Sequence, residues 1–239
     1  RYRAWRRSAR GGRLLSHLEY LLFNLLVAAG PVALSFEPKV RFLRRWPAAL
    51  LAALVMLAPF ALRDSLVTGR HWWFNPRFTA GTFIGALPAG EWLFFITVPF
   101  SSLFVWEVLR FYRPRGHADS GRRPPLWLWA ALPLAGLLLW LGKEYTALVI
   151  AAFALTAWAD LRFGGRVLAR ANLWPYAALL AGLMLIFNGY LTARPVVLYD
   201  PAYRLDWRVG TIPIEDFLYG YSLLLGCTSL FEKFRRPHG

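Results

Sequence analysis

The sequence is poor in the residue types that most metal, redox and nucleophilic sites require. It holds one cysteine, Cys227, which excludes an internal disulfide, and four histidines without metal-ligand spacing. It has neither a Gly-x-Gly-x-x-Gly segment after a strand nor a serine or cysteine nucleophile motif. Acidic residues are also scarce, because 13 Asp and Glu stand against 28 Lys and Arg. We therefore expect no metal and no cofactor, and any acid–base chemistry has few carboxylates to draw on.

The chain is instead rich in apolar and aromatic residues. Of its 239 residues, 57% are hydrophobic and 17% are aromatic, which is too apolar for a soluble domain of this size. Its net charge of +15 would suit nucleic acid or anionic lipid, but the arginines stand between apolar runs rather than on one face. We therefore expect the lipid bilayer, and no nucleic acid, as a partner, and a multi-pass protein of the cell membrane.

Seven apolar runs in the sequence are long enough, or nearly so, to cross a bilayer core, which takes about 20 helical residues. They cover residues 17–35, 47–62, 88–110, 125–142, 145–160, 173–192 and 213–232. This pattern predicts an all-α polytopic membrane protein with about seven transmembrane helices.

Part of the chain is repeated. A shift of 125 residues, without a gap, superimposes several short segments. The pairs are Glu19-Tyr20 and Glu144-Tyr145, Phe74-Asn75-Pro76 and Tyr199-Asp200-Pro201, Gly85 and Gly210, Pro88 and Pro213, Glu91 and Asp216, and Trp106-Glu107 and Phe231-Glu232. The first three runs therefore form one unit and the last three form a second, with the fourth run joining them. Four crossings separate equivalent helices, so the units are parallel and related by an axis along the membrane normal.

The repeat divides the chain into four parts. We expect a disordered basic tail over residues 1–16, which holds six arginines and no acid. The first repeat unit then covers residues 17–113, the linker and helix four cover 114–142, and the second repeat unit covers 143–239.

Two neighbouring acids follow a proline at the start of the last apolar run. Pro213 suits the first turn of a helix, which places Glu215 and Asp216 in that turn. Glu91 holds the equivalent position in the first unit. Helix capping at the membrane interface would explain any one of these acids. Their repetition at one membrane depth favours a functional site, because ionisable groups in lipid are costly.

Aromatic residues follow both acidic motifs. Trp92, Phe94 and Phe95 follow the first motif, and Phe217, Tyr219 and Tyr221 follow the second. Packing, or anchoring at the interface, is the common role of such rings, but their faces also attract cations. Acids beside aromatic walls that open to lipid suit carbocation chemistry on an apolar substrate.

Other polar residues near the same membrane side have simpler interpretations. Asn75 and Asp200 each precede a proline, which is typical of turns, although their position also makes them candidates for substrate contact. Asp64 follows Arg63 at the end of the second run, and we expect an interfacial ion pair between them.

Two further acids belong to the opposite membrane side. Glu107 and Glu232 lie 16 residues after Glu91 and Asp216, hence about 24 Å further along a helix. We expect them to pair with arginines such as those at positions 110 and 235, and we assign them no catalytic role.

The repeated motifs resemble a known family, the membrane lycopene cyclases of the bacterial heterodimeric, archaeal and fungal type. In that family two three-helix units are combined, sometimes as separate chains. The resemblance covers about residues 17–233 and is carried by Tyr20-Leu21-Leu22-Phe23-Asn24, Pro31-Val32-Ala33-Leu34-Ser35-Phe36, Trp73-Phe74-Asn75-Pro76-Arg77, Pro88-Ala89-Gly90-Glu91-Trp92-Leu93-Phe94-Phe95, Asn188-Gly189-Tyr190-Leu191-Thr192 and Gly210-Thr211-Ile212-Pro213-Ile214-Glu215-Asp216.

The first unit departs from the family hallmark, which is Pro-x-Glu-(Glu/Asp) in each unit. The second copy, Pro213-Ile214-Glu215-Asp216, matches fully. In the first copy Gly90 stands where the family has its first glutamate. Three carboxylates therefore remain where the resemblance implies four. Either the second unit supplies the acid, or the chain is a weakened or altered cyclase.

The resemblance implies a lycopene β-cyclase, an isomerase that closes lycopene ends into β-rings without net redox change and without a cofactor. It implies Glu215 as the acid, with Asp216 or Glu91 as the base or as the group that stabilises the cation. The expected partners are lycopene and other linear carotenoids, the lipid bilayer, and other carotenoid enzymes. The expected substrate contacts are Trp92, Phe95, Phe217, Tyr219, Asn75 and Asp200.

Two alternatives stay open from the residues alone. A related carotenoid-modifying enzyme such as a hydratase would let water capture the first cation. A non-catalytic membrane protein would be either a transporter or an assembly partner of carotenoid enzymes. Parallel repeats with charges at the midplane would suit a transporter, but these acids sit at the ends of the runs. The product decides between these alternatives.

Overall fold

A computed structural model describes residues 14–113 and 126–235. Most of the expected basic tail, most of the linker loop and the last four residues lie outside the described residues.

Each of the seven apolar runs forms a helix. The helices are α1 (Glu19–Leu34), α2 (Trp46–Val67), α3 (Ala89–Tyr112), α4 (Leu126–Trp140), α5 (Glu144–Arg162), α6 (Leu173–Ala193) and α7 (Ile214–Phe234), and one helical turn, Leu14–His17, precedes α1.

Four helical spans among the described residues are long and apolar enough to cross a membrane: Phe42–Val67, Ala89–Tyr112, Glu144–Arg162 and Leu173–Ala193. Helices α1 and α4 are apolar but shorter. The predicted all-α membrane architecture is confirmed.

A short hairpin leads directly into the last helix of each unit. Strands β2 (Phe83–Ile84) and β3 (Leu87–Pro88) precede α3, and β5 (Arg208–Val209) and β6 (Ile212–Pro213) precede α7. The first turn residue is Gly85 in one hairpin and Gly210 in the other, with φ of 63° and 62°. Residues with side chains rarely adopt this φ, which accounts for the repeated glycine. The hairpins bring the acidic motifs of both units to the same end of the molecule.

A two-stranded ribbon lies on the local two-fold axis that relates the units. Strand β1 (Trp72–Phe74) pairs antiparallel with β4 (Val197–Tyr199). In this pairing Trp73 faces Leu198, the residue that the 125-residue shift assigns to it. An antiparallel pair has a two-fold axis between facing residues. The register suits a two-fold relation of the units, and Glu91 and Asp216 line the same cavity, in agreement with the predicted parallel arrangement.

The opposite end of the molecule is held by charged residues of α3 and α7. Arg110 contacts Glu107 at 3.0 Å and Glu232 at 3.2 Å, and Arg235 contacts the same two acids at 2.5 and 3.4 Å. The predicted pairing of these acids with arginines 110 and 235 is confirmed. The network crosses between the units, so it fixes α3 against α7 at the end remote from the acidic motifs.

Candidate active site

A cavity of about 430 Å³ lies between helices of both units. Its long walls are apolar and come from α1 and α3 of the first unit and from α6 and α7 of the second. The ribbon β1–β4 closes one end. At that end the lining is polar and consists of Tyr20, Asp64, Glu91, Tyr145, Asn188, Tyr199, Asp216 and Tyr219.

Glu91 lies at this polar end because helix α3 begins there. It is 7% exposed, and the hydroxyl of Tyr20 donates a hydrogen bond to its Oε2. The position of Tyr20 depends on its neighbour Gly90, since a Cβ atom at residue 90 would lie 2.6 Å from the Tyr20 ring. Asn24 donates to the Gly90 carbonyl at 3.0 Å and accepts from Thr97 at 2.9 Å. These contacts hold α1 tightly against α3, so the Tyr20–Glu91 pair is positioned by the backbone around it.

Asp216 occupies the equivalent position in the second unit and accepts three hydrogen bonds. Tyr145 donates to Oδ1 at 2.6 Å, while Tyr199 and Asn188 donate to Oδ2 at 2.6 and 3.1 Å. The Tyr145 bond repeats that of Tyr20 to Glu91. Burial, followed by the charge of Asp216, raises the pKa of Tyr199, which keeps its phenol a donor.

The two halves of the site differ because two of these contacts are not duplicated. The residue equivalent to Tyr199 is Phe74, and the residue equivalent to Asn188 is Arg63. Among the described residues, Glu91 therefore has one side-chain donor where Asp216 has three. Equivalent carboxylates in the repeat thus sit in different hydrogen-bonding surroundings.

Asp64 is a third carboxylate on the cavity wall. It is 2% exposed, pairs with Arg63 at 2.9 Å, and accepts a 2.8 Å hydrogen bond from Tyr219. The guanidinium carbon of Arg63 lies 4.7 to 5.1 Å from the ring centres of Trp72, Tyr219 and Tyr145. The predicted Arg63–Asp64 pair is confirmed, but it is buried in the site rather than interfacial. A cation enclosed by three rings shows that this end of the cavity accommodates positive charge.

Ion pairs tie the loops above the site to the opposite unit. Arg194 of the second unit binds Glu19 of the first at 2.8 Å, and Arg70 of the first unit binds Glu144 of the second. His71 also contacts Glu144, at 3.1 Å, although burial lowers the pKa of His71. Because each loop is anchored on the first helix of the other unit, the ribbon is fixed over the carboxylates.

A family model described as lycopene cyclase matches residues 17–109 and 143–234, which lie within the two repeat units. The chain belongs to the lycopene cyclase family. It is therefore a membrane enzyme, a cyclase whose substrate is a carotenoid. No curated protein and no solved structure matches the chain.

Glu215, the acid implied by the family hallmark, is not among the residues that line the cavity of this family member. Its Oε1 accepts hydrogen bonds from Thr146 at 2.7 Å and from the backbone N–H of Leu205 at 2.9 Å. Its Oε2 is buried without a hydrogen-bond partner within the described residues. Successive residues of a helix point about 100° apart, and here Asp216 lines the cavity while Glu215 does not.

Of the aromatic residues expected to contact the substrate, Tyr219 lines the cavity. Trp92, Phe95 and Phe217 are not among its lining residues; the Trp92 indole donates to the Ile84 carbonyl at 3.1 Å instead. Phe94 lines the cavity and follows Glu91 by three positions, as Tyr219 follows Asp216. This spacing places a ring on the same helix face as the acid.

Asn75 and Asp200 make the contacts typical of turns. Asn75 donates to the Pro195 carbonyl at 3.0 Å and accepts from the Arg77 N–H at 3.1 Å. Asp200 caps a helical turn by accepting from the Ala202 N–H at 2.9 Å. Neither residue lines the cavity, and their contact with substrate stays a prediction.

Proposed function

We propose that the chain is a lycopene β-cyclase, which closes the linear ends of lycopene into β-rings. The observation that supports this function is a group of three buried carboxylates at the closed end of an apolar cavity. A hydrocarbon substrate finds a matching surface along the cavity walls. At the polar end its terminal double bond meets proton donors and acceptors in surroundings that exclude bulk water.

The proposed reaction adds one proton to the substrate and later removes one proton from it. A carboxylic acid protonates the terminal double bond and leaves a tertiary cation. The electron pair of an internal double bond attacks this cation and forms the ring carbon–carbon bond. A carboxylate then removes a proton from the ring, which restores a double bond. The atoms balance, no electron is gained or lost, and the enzyme regains its starting state after a proton returns to the acid.

We assign the acid to Glu91 and the base to Asp216. Three donors occupy acceptor positions of Asp216, an arrangement that favours a carboxylate. Within the described part of the chain, Glu91 accepts from the hydroxyl of Tyr20 alone, and it shares the cavity with Asp64, another acid. Crowding of acids in a buried site favours a proton on one of them. The role of Glu215 as the acid stays a prediction, and its contacts away from the cavity support it less well.

Aromatic rings would stabilise the cation without reacting with it. Phe94 and Tyr219 line the cavity one helical turn beyond Glu91 and Asp216. The face of an aromatic ring stabilises a desolvated cation by about 2 kcal/mol or more. Its carbon atoms have no lone pair that could attack the cation. Asp64 balances the charge of Arg63, so the substrate cation is not repelled by an unpaired buried arginine.

Expression of the full chain in lycopene-producing cells tests this function directly. The unaltered chain is expected to convert lycopene into β-carotene, and chromatography of the extracted pigments measures this conversion. Glu91→Gln and Asp216→Asn are each expected to leave at least tenfold more uncyclised lycopene. Glu215→Gln separates the two acid assignments, since it is expected to retain clearly more cyclisation than Glu91→Gln.

Other products would overturn parts of the proposal. An oxygenated but uncyclised carotenoid would identify a hydratase. Absence of turnover by the purified chain, with lycopene supplied in detergent, would identify a non-catalytic partner. Full activity of Glu91→Gln with loss of activity in Glu215→Gln would return the acid role to Glu215.

We further propose a multi-pass location in the cell membrane and association with other carotenoid enzymes. The domain boundaries after residues 16, 113 and 142 are also proposals. Fractionation of membranes and co-purification from carotenoid-producing cells would test location and association separately.

A further inference from the structure

The duplication of the unit should create two equivalent cavities, but the described part of the chain has one of them open. The open cavity runs between α1 and α3 of the first unit and α6 and α7 of the second. The two-fold relation would place its counterpart between α5 and α7 of the second unit and α2 and α3 of the first. Packing of α2 on α7 fills that space.

Side chains of α2 close the counterpart along its length. Met56 packs on Gly226, where a Cβ atom would lie 2.4 Å from the methionine methyl group. The thiol of Cys227 lies 3.9 Å from the Ala52 carbonyl oxygen, and the ring of Phe60 is 5.2 Å from that of Tyr219. Contacts at these distances leave no room for a hydrocarbon chain.

The equivalent positions on the other side line the open cavity. The residues equivalent to Thr156, Gly226 and Cys227 are Pro31, Ser101 and Ser102, and all three belong to the cavity lining. Leu155 of α5 is replaced by Gly30 in α1, where a Cβ atom would meet nothing within 4 Å. The open and closed grooves therefore differ by defined substitutions within an otherwise repeated frame.

The open cavity reaches the lipid-facing surface of α1. Leu26 and Leu34 line the cavity and are nevertheless 69% and 54% exposed, and Gly30 lies between them. The opening is apolar and leads inward to the carboxylates. An apolar opening of this kind suits a linear hydrocarbon arriving from the bilayer rather than a polar solute arriving from water.

We infer that the chain keeps one substrate groove, between α1 and α6, and that it admits one end of a linear carotenoid in each binding event. This inference rests on the proposed function. It adds the route by which the substrate enters and the number of substrate ends that bind in each event. The bound end group reaches Glu91 and Asp216, while the rest of the polyene extends past Gly30 into lipid. The second end is processed only after the molecule leaves and binds again in the reverse direction.

Blocking the groove at Gly30 tests its location. Gly30→Phe would place a ring in the opening and is expected to lower cyclisation at least tenfold. Leu155→Phe changes the equivalent position of the closed groove and is expected to retain activity. Gly30→Ala controls for the altered helix propensity, because its methyl group has free space. Equal activity of Gly30→Phe and Leu155→Phe, or equal loss, would overturn the inference.

Binding measurements separate failure of the groove from failure of the function. Lycopene bound beside Trp72 should quench tryptophan fluorescence of the purified full chain. This quenching is expected to be lost in Gly30→Phe and kept in Leu155→Phe, whether or not a ring forms. If quenching follows this pattern and no variant cyclises lycopene, the groove stands and the cyclase proposal fails.

A chase experiment tests the number of ends processed in each event. The purified chain in liposomes first receives labelled lycopene and then a tenfold excess of unlabelled lycopene. Release between the two cyclisations predicts labelled monocyclic product, with labelled bicyclic product reduced about tenfold by competition. Labelled bicyclic product that resists the chase would mean that both ends are processed without release, which overturns the inference.

Discussion

Tyr145 donates a 2.6 Å hydrogen bond to Asp216, and its counterpart Tyr20 bonds Glu91 in the same way. The two tyrosines lie 125 residues apart, as the two acids do. Duplication therefore preserved a tyrosine–carboxylate pair in each unit, while the surroundings of the pairs diverged. The effects of equivalent substitutions in the two units can therefore be compared at these tyrosine–carboxylate pairs.

Removal of the Tyr145 hydroxyl should impair the base. A hydrogen bond to a charged group contributes about 1.5–3 kcal/mol, so Tyr145→Phe is expected to slow cyclisation about 10- to 150-fold. Tyr221→Phe is the control, because its hydroxyl bonds the Ala177 carbonyl instead of a carboxylate. Pigment conversion rates of the two variants give the comparison. Equal rates would show that the Tyr145–Asp216 bond has no part in the reaction.

Restoring the family's glutamate at residue 90 should not restore a better enzyme. A Cβ atom there would lie 2.6 Å from the Tyr20 ring, so Gly90→Glu is expected to displace Tyr20 from Glu91. Gly90→Ala should already lower both activity and melting temperature, whereas Gly182→Ala, in open space, should raise stability by about 0.5–1 kcal/mol. Higher activity of Gly90→Glu would contradict this packing argument.

Loss of Arg63 should destabilise the site through Asp64. Breaking a buried ion pair by removing one partner costs about 3–5 kcal/mol, so Arg63→Leu should markedly lower the melting temperature in detergent. The double variant Arg63→Leu/Asp64→Leu should recover much of this loss, because no unpaired charge remains. Arg70→Leu removes an exposed arginine and should change stability little. A double variant no more stable than Arg63→Leu would argue against charge pairing as the cause.

Glu232 should matter for stability and not for the product. It accepts from Trp106 at 2.8 Å and pairs with Arg170 at 2.7 Å, about 24 Å along α7 from Asp216. Glu232→Gln is expected to cost about 3 kcal/mol of stability, while the ratio of cyclised products stays unchanged. Thermal unfolding and pigment chromatography measure the two effects. A changed product ratio at normal stability would mean that this remote end acts on the site.

The helices, the repeat and the common location of the acidic motifs could be predicted from the sequence. Apolar runs give the helices, and an ungapped shift of 125 residues gives the two units. The same shift pairs Tyr20 with Tyr145, so both tyrosines were visible as repeated residues. Their bonds to the carboxylates were missed because nothing in a sequence states that α1 packs beside the start of α3.

The side on which each acid lies could not be predicted from the motif alone. Glu215 and Asp216 are neighbours in the sequence, yet one faces Thr146 and the other faces the cavity. The sequence indicates an interfacial position for Asp64, because its approach to Tyr219 depends on the packing of α2 against α7, which no motif records. Contacts between helices that are distant in the sequence decide both cases, and the periodicity of one helix does not predict such contacts.

The ribbon between Trp72–Phe74 and Val197–Tyr199 sets a lower limit on how small a working version of this protein can be. Each strand finds its backbone partners in the other half, so a solitary three-helix unit would carry unsatisfied N–H and C=O groups beside its own acid. The smallest assembly that satisfies these backbone groups is therefore a pair of three-helix units. An ancestor with one unit would have needed a second copy of itself, and with two identical halves it would have offered two identical channels.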